Sequence, residues 1–294
     1  MADRPLFSLV DYAVRRTAAL LPERAGYAMT RRATERLGGS ARRWIGAEVE
    51  RQVMQYLGDA EAARTGGQRF VAELACDDLD AITAVQWTRQ ARLAATRVQG
   101  AERLPEKGPA ILVSFHFSGG FRVFDVLCSR GLQPTFLHAP PRDPQGYENR
   151  IERLRRDFLT KTLKPGWIVP GPGARDALAN HLEEGGVVVA LLDVAPGALT
   201  LRDRAKGTLL GRPVDLPVGI LRLALEKGAP VIPYDGWLDG NRRVLEFHEP
   251  ARGSDPETLL QEILATCEGV IRNRPWTWQA WLDADRLWAT AQED

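Results

Sequence analysis

Ala110-Ile-Leu-Val-Ser-Phe115, running straight into His116-Phe-Ser-Gly-Gly-Phe-Arg122, is the stretch that decides the fold class. The apolar run is bounded upstream by the turn-forming Pro105-Glu-Lys-Gly-Pro109 and downstream by two glycines. It is too short for an ordinary helix and reads as a strand buried on both faces that feeds the next helix. Similar runs recur at Pro134–Leu137, Gly166–Val169, Val187–Leu192 and Val231–Tyr234, separated by helical stretches at Tyr147–Leu163, Ala174–Glu184 and Val218–Lys227. Strands alternating with helices predict an α/β fold with a largely parallel central sheet and flanking helices. Arg242–His248 is expected to add an antiparallel edge and Pro256–Asn273 a further helix. From Pro5 to about Ala95 no strand signal appears, and Phe7–Leu21, Arg42–Leu57 and Leu79–Ala94 place apolar residues at helical spacing. Residues 1–99 are therefore expected to form a helical portion packed on an α/β core at 100–294, one domain overall.

Composition limits the function. A chain of 294 residues, 44% hydrophobic, can bury one large core. With 39 Lys+Arg against 38 Asp+Glu there is no bulk attraction to a polyanion, so nucleic acid is not an expected partner. Near neutrality hides local imbalances, the first at residues 1–56, which carry ten arginines against six acids. Cys76, Cys128 and Cys267 lie far apart without a C-x-x-C, against a disulfide framework or a cysteine zinc site, and a reducing compartment is expected. Asp11, Arg15 and Arg16 interrupt the first apolar run before it reaches signal-peptide or spanning length.

Reactive groups in open α/β folds collect at the carboxyl ends of strands. His116 stands at such a point. Ser118, Gly119 and Gly120 behind it can begin a helix whose free N–H groups face an oxyanion. Arg122 carries a guanidinium suited to phosphate or carboxylate. His138, His181 and His248 lie on separate elements without metal-ligand spacing, which favours structural or surface roles and no metal.

The segment His116-Phe-Ser-Gly-Gly-Phe121 resembles the first motif of the lysophospholipid acyltransferase superfamily, in its bacterial lipid A late-acyltransferase branch. Leu21-Pro22, Ala174-Arg-Asp-Ala-Leu178, Val188–Asp193, Leu209-Leu-Gly-Arg-Pro213 with Pro217, Ala229-Pro-Val-Ile-Pro233 and Pro275-x-x-Trp278 follow in the branch's order, so the resemblance spans roughly residues 15–288. It implies a glycerolipid acyltransferase-like fold and transfer of an acyl group from acyl-carrier protein or acyl-coenzyme A, with no bound cofactor. In that family the histidine is the general base for the acceptor, and an acid five residues on orients it. Here that position is Phe121. Three substitutes are open: Asp125, one helical turn further on; Asp193, at the end of the Val187–Leu192 strand; or no acid, if the acceptor is an amine that needs less activation. A catalytically silent binding relative and a thioesterase-like hydrolase also remain open.

Arg204 and Arg212, with Arg202 and Lys206, surround the loop that the resemblance places near the active site, as candidate anion contacts. Arg150–Lys164 carries six basic against two acidic residues and reads as a basic amphipathic helix, suited to an acidic acyl-carrier protein or an anionic membrane surface. The hydrophobic anchor usual in the branch is shortened and charged here, so the expectation is a cytoplasmic protein with at most peripheral contact with the inner membrane and an acceptor that is a lipid or a soluble molecule.

Overall fold

A computed structural model describes residues 14–37, 39–138, 157, 159–161, 166–194 and 203–289. Among the described residues, a helical stretch at 14–18 is followed by α1 (Glu23–Leu37), α2 (Gly39–Leu57), α3 (Ala60–Gln86) and α4 (Arg89–Ala94). They lead into β1 (Thr96–Gln99), β2 (Ala110–Ser114), α5 (Arg122–Ser129), β3 (Pro134–Leu137) and β4 (Trp167–Ile168). Then come α6 (Ala174–Glu183), β5 (Val187–Leu191), β6 (Arg204–Leu209), β7 (Arg212–Pro217), α7 (Gly219–Lys227), β8 (Val231–Asp239), β9 (Arg242–Phe247), α8 (Pro256–Asn273) and α9 (Ala284–Ala289). Most of the expected basic helix at 150–164, Arg202 and residues 7–13 of the Phe7–Leu21 stretch lie outside the described residues, while 14–18 are helical.

Seven strands form one sheet in the order β1-β9-β8-β2-β5-β3-β4. The run β8-β2-β5-β3-β4 is parallel throughout, while β9 opposes β8 and β1 lies parallel to β9. The sheet is thus mixed and mostly parallel. Two expectations need correction. The segment read as Arg242–His248 is not the edge, because β1 pairs outside it; and β1 falls within the 1–99 portion read as helical. Its four residues follow a helix directly and are too few to show a period.

A third correction concerns Leu209-Leu-Gly-Arg-Pro213, which holds the tight turn of an antiparallel hairpin, β6–β7, rather than a loop. Leu210 and Gly211 both have positive φ (52° and 75°), as a two-residue turn matched to strand twist requires. Leucine is an unusual occupant of that conformation, so the usual Asn-Gly or Asp-Gly cue was missing.

Side chains alternate across the strands, and the core divides accordingly. Ile111, Val113, Val188 and Ala190 face one layer, with α6, α7 and α8. Leu112, Val187, Val189 and Phe136 face the other, with α5. The first layer also holds Val49 and Val53 of α2, Phe70 of α3, and Trp278 and Trp281, so the amino-terminal helices and the carboxyl-terminal segment bury their apolar faces in the same cluster as the sheet.

Charge is buried as well. Arg243 of β9, fully buried, donates to Glu73, Asp77 and Asp80 of α3 at 2.8, 2.5 and 2.7 Å. Burial pushes the Glu73 carboxyl above the ordinary range despite the nearby guanidinium. For Asp80 burial acts the same way, but the charges of Arg243 and Arg122 outweigh it and its pKa falls.

Candidate active site

Parallel register builds the site. Ser114, the last residue of β2, pairs with Leu191, the last of β5. His116 and Asp193 each stand two residues beyond those partners, so the two strands deliver them to the same point. The backbone N–H of His116 donates to both carboxylate oxygens of Asp193, at 3.0 and 2.9 Å. Its ring Nδ1 lies 2.8 Å from Asp193 Oδ1. On the other side, Trp278 Nε1 donates to Asp193 Oδ2 at 2.9 Å. The Asp193 side chain is fully buried, whereas that of His116 is 46% exposed.

Trp278 is held there by backbone. Phe117 and Trp278 form an antiparallel bridge, Ser118 N donates to Thr277 O, and Gln279 N donates to His116 O. The 277–279 strip thus runs alongside the 116–118 loop and fixes both.

Burial by itself would raise the pKa of Asp193. The charge of His116, the hydrogen bonds from its ring and backbone, and the bond from Trp278 outweigh burial and hold the carboxyl below its ordinary value. A carboxylate kept ionised on Nδ1 favours the tautomer with its proton there, which makes Nε2 the basic nitrogen. Such a pair can take a proton from a hydroxyl or amine and return it to a leaving group.

Of the three expected substitutes for the missing acid, Asp193 meets His116 and Asp125 does not. Asp125 is buried under a two-pronged grip from Arg92, whose Nε and Nη2 donate at 2.7 and 2.6 Å. Arg92 also donates to the carbonyls of Ala84 and Trp87 at the end of α3. Asp125 therefore secures α4 and α5, and helix periodicity concealed a partner 33 residues away.

The remaining expected contacts are also redirected. Arg122 is buried and donates to Asp80, Tyr27 and Glu23 at 2.7, 3.0 and 3.3 Å, so its guanidinium is engaged by acids inside the fold. Ser118 caps no helix: α5 begins at Arg122, and the first-turn amides of Arg122 and Val123 bond back to Gly119 O and Gly120 O. The amides of Ser118 and Gly119 are taken by Thr277 O and by Asp77 Oδ1, at 2.9 and 2.8 Å. Gly119 has φ +69°, which suits glycine. Arg204 donates to Asp215 Oδ2 at 3.1 Å and to the Val194 carbonyl at 3.2 Å, tying the hairpin to the chain just past Asp193. Arg212 lies 4.5 Å over the ring of Tyr56, in contact with the amino-terminal helices. Lys206 is exposed.

Two residues gain importance that the sequence did not assign. Trp278 was quoted only as part of a terminal motif. His138, read as structural, stands one residue past β3, the same kind of position that singled out His116. Its ring stacks on Phe136 at 4.9 Å, and Phe136 meets Phe121 edge-on at 5.9 Å. Burial lowers the His138 pKa to about 4, and the charge of His116 adds to the effect. The other two histidines are elsewhere: His181 Nε2 lies 3.0 Å from Gln133 O, and His248 Nε2 lies 2.8 Å from Asp235 Oδ1.

Asp235, Glu246 and His248 bring ligand atoms within 4.8 Å of one another, a grouping that linear spacing did not reveal. Arg274 is already there, donating to Asp235 Oδ2 at 3.0 Å and lying 3.7 Å from Glu246. Its guanidinium supplies the positive charge that a metal would bring.

Among the described residues no helix is long and apolar enough to cross a membrane. No protein-family model and no curated protein matches the sequence. Among solved structures, the chain is similar to the crystal structure of the 1-acyl-sn-glycerophosphate (LPA) acyltransferase from Thermotoga maritima, at 12% identity and a TM-score of 0.40, over 81% of this chain and 98% of that one.

Proposed function

We propose that the chain is an acyltransferase that moves an acyl group from acyl-carrier protein or acyl-coenzyme A to a hydroxyl or amine acceptor. The observation that carries this reading is the His116–Asp193 pair. It re-creates, with an acid from the neighbouring strand end, the base-and-orienter arrangement that the motif resemblance implies and that Phe121 cannot complete. In the reaction, Nε2 of His116 removes the acceptor proton as the acceptor oxygen or nitrogen bonds to the thioester carbon. The tetrahedral intermediate then expels the thiolate, which takes the same proton from His116. The products are an ester or amide and a free thiol, and the enzyme returns to its starting state.

Asp193 stays ionised throughout and stabilises the imidazolium. Phe121 packs with Phe124 and Phe136 in the apolar core on the α5 side of the sheet, so the family's acid position is filled by a core ring. An acidic acyl carrier and the cytoplasmic face of the inner membrane are the proposed partner and place of action.

The test is acyl transfer from both kinds of thioester across a panel of hydroxyl and amine acceptors. Asp193→Asn should lower kcat by about four orders of magnitude, the cost of losing an orienting acid in a comparable triad, and His116→Ala by at least as much. Asp125→Asn should lower the melting temperature yet keep the turnover of the folded fraction. Equal activity in wild type and His116→Ala would end this reading. Free acid released at the same rate without any acceptor would convert it into a hydrolase.

A further inference from the structure

The oxyanion of the proposed tetrahedral intermediate needs hydrogen-bond donors, and two of the three amides of the 118–120 segment are taken. Ser118 N is bonded to Thr277 O, and Gly119 N to Asp77. Both amides point into the fold and away from a substrate on His116.

Another donor lies across the site. The sheet order places β5 between β2 and β3, so His116, Asp193 and His138 follow three successive strand ends. Ala190 of β5 pairs with both Val113 of β2 and Leu137 of β3, so His138 stands level with Ser114, two residues before His116. His138 follows its strand end by one residue, and its backbone N–H is fixed to Ile168 O at 3.0 Å. Two strand spacings separate β2 from β3 by about 10 Å, and the charge of His116 is felt at the His138 ring. Phe136 stacks on the His138 ring at 8° between planes and limits its rotation.

We propose that His138 is a second catalytic histidine, whose ring N–H donates a hydrogen bond to the acyl carbonyl oxygen as negative charge develops on it. The role needs a neutral ring. A second imidazolium beside His116 would oppose the charging of the base, whereas a neutral imidazole stabilises the oxyanion and leaves His116 as the one site of proton transfer. The low pKa of His138 keeps it neutral at working pH. No proton moves to or from His138 in the step: it donates a hydrogen bond, which weakens again when the carbonyl re-forms and the thiolate leaves.

This inference rests on the acyl-transfer reading, and its test separates the two. His138→Phe keeps the ring stack on Phe136 and removes the donor; His138→Gln keeps a donor without the ring. Steady-state transfer is measured for both beside wild type and His116→Ala, with melting temperatures to confirm folding. The expected result is a kcat about 10²–10³-fold lower in His138→Phe, the usual cost of one lost oxyanion donor. KM should change little, and His138→Gln should recover at least tenfold of the loss. If His138→Phe keeps kcat within threefold of wild type while His116→Ala is inactive, the oxyanion role is wrong and the acyltransferase reading stands. An equal loss in the Phe and Gln variants also overturns the donor role. Full activity in His116→Ala, or no transfer by wild type to any acceptor, removes both.

Discussion

At the residue scale, the environment of His138 has a consequence for stability that can be measured without any substrate. Its folded pKa is about 4, against about 6.5 for a histidine in an unfolded chain. Between those values the unfolded state holds a proton that the folded state refuses. Stability is therefore complete above pH 6.5, declines as the pH falls towards 4, and has lost on the order of 2–3 kcal/mol from this group at pH 4.5. His138→Phe should escape that share of the loss. Urea unfolding of both proteins at pH 7 and pH 4.5 checks it, and an identical pH dependence in the two would show that the ring is not held neutral by burial. The same scale shows what the sequence displayed and what it hid. His116 was visible because a strand ends just before it. Asp193 could only be named beside Asp125, because the choice depends on the β2–β5 register and on Arg92, neither of which is written in the residues around either aspartate.

At the element scale, the His116 loop lies on β8 at a place where only glycine fits. A Cβ on Gly236 would fall 2.6 Å from the Ser118 carbonyl oxygen and 3.3 Å from that of Val244. Backbone on both sides leaves no flexible side chain to yield, so Gly236→Ala must push the 116–119 loop off the sheet. The expected cost is about 1–3 kcal/mol of stability, with a loss of transfer activity beyond what the unfolded fraction explains, because His116 moves relative to Asp193. Gly131→Ala is the control: its φ of +76° brings strain of roughly 1 kcal/mol, but a Cβ there meets nothing within 4 Å and the site is untouched. Thermal unfolding and single-turnover transfer on the two variants decide it, and unchanged turnover in Gly236→Ala would show that the loop adjusts freely. Long apolar runs such as Val187–Leu192 were legible as buried strands because both faces are covered. The β6–β7 hairpin was not, since its strands show only a short alternation and its turn carries Leu210-Gly211.

At the scale of the whole molecule, the amino-terminal helices and the sheet are joined by charge as much as by apolar contact. Glu73, Asp77 and Asp80 recur on one face of α3 at helical spacing, and all three meet Arg243 on β9, next to the β1 edge of the sheet. The same acids reach the site: Asp77 accepts from the Gly119 amide and from the Gln279 side chain, and Glu73 accepts from the Leu238 amide. Sequence periodicity reveals the helix but not this role, because its partner lies more than 160 residues away. Removing residues 1–95 would take away the counter-ions of Arg243 and Arg122 and open to water the side on which those acids pack. It would also strip Val49, Val53 and Phe70 from the core. The apolar surface so exposed weighs heavily against the small net stability of an ordinary domain, so a chain of residues 96–294 should not fold by itself. Expressed alone, it is expected to aggregate or to show no cooperative thermal transition by circular dichroism, whereas the full chain melts in a single step. A fragment that melts cooperatively near the full-length temperature would mean that the buried carboxylates of α3 are dispensable and that the helices are an appendage to an independent α/β core.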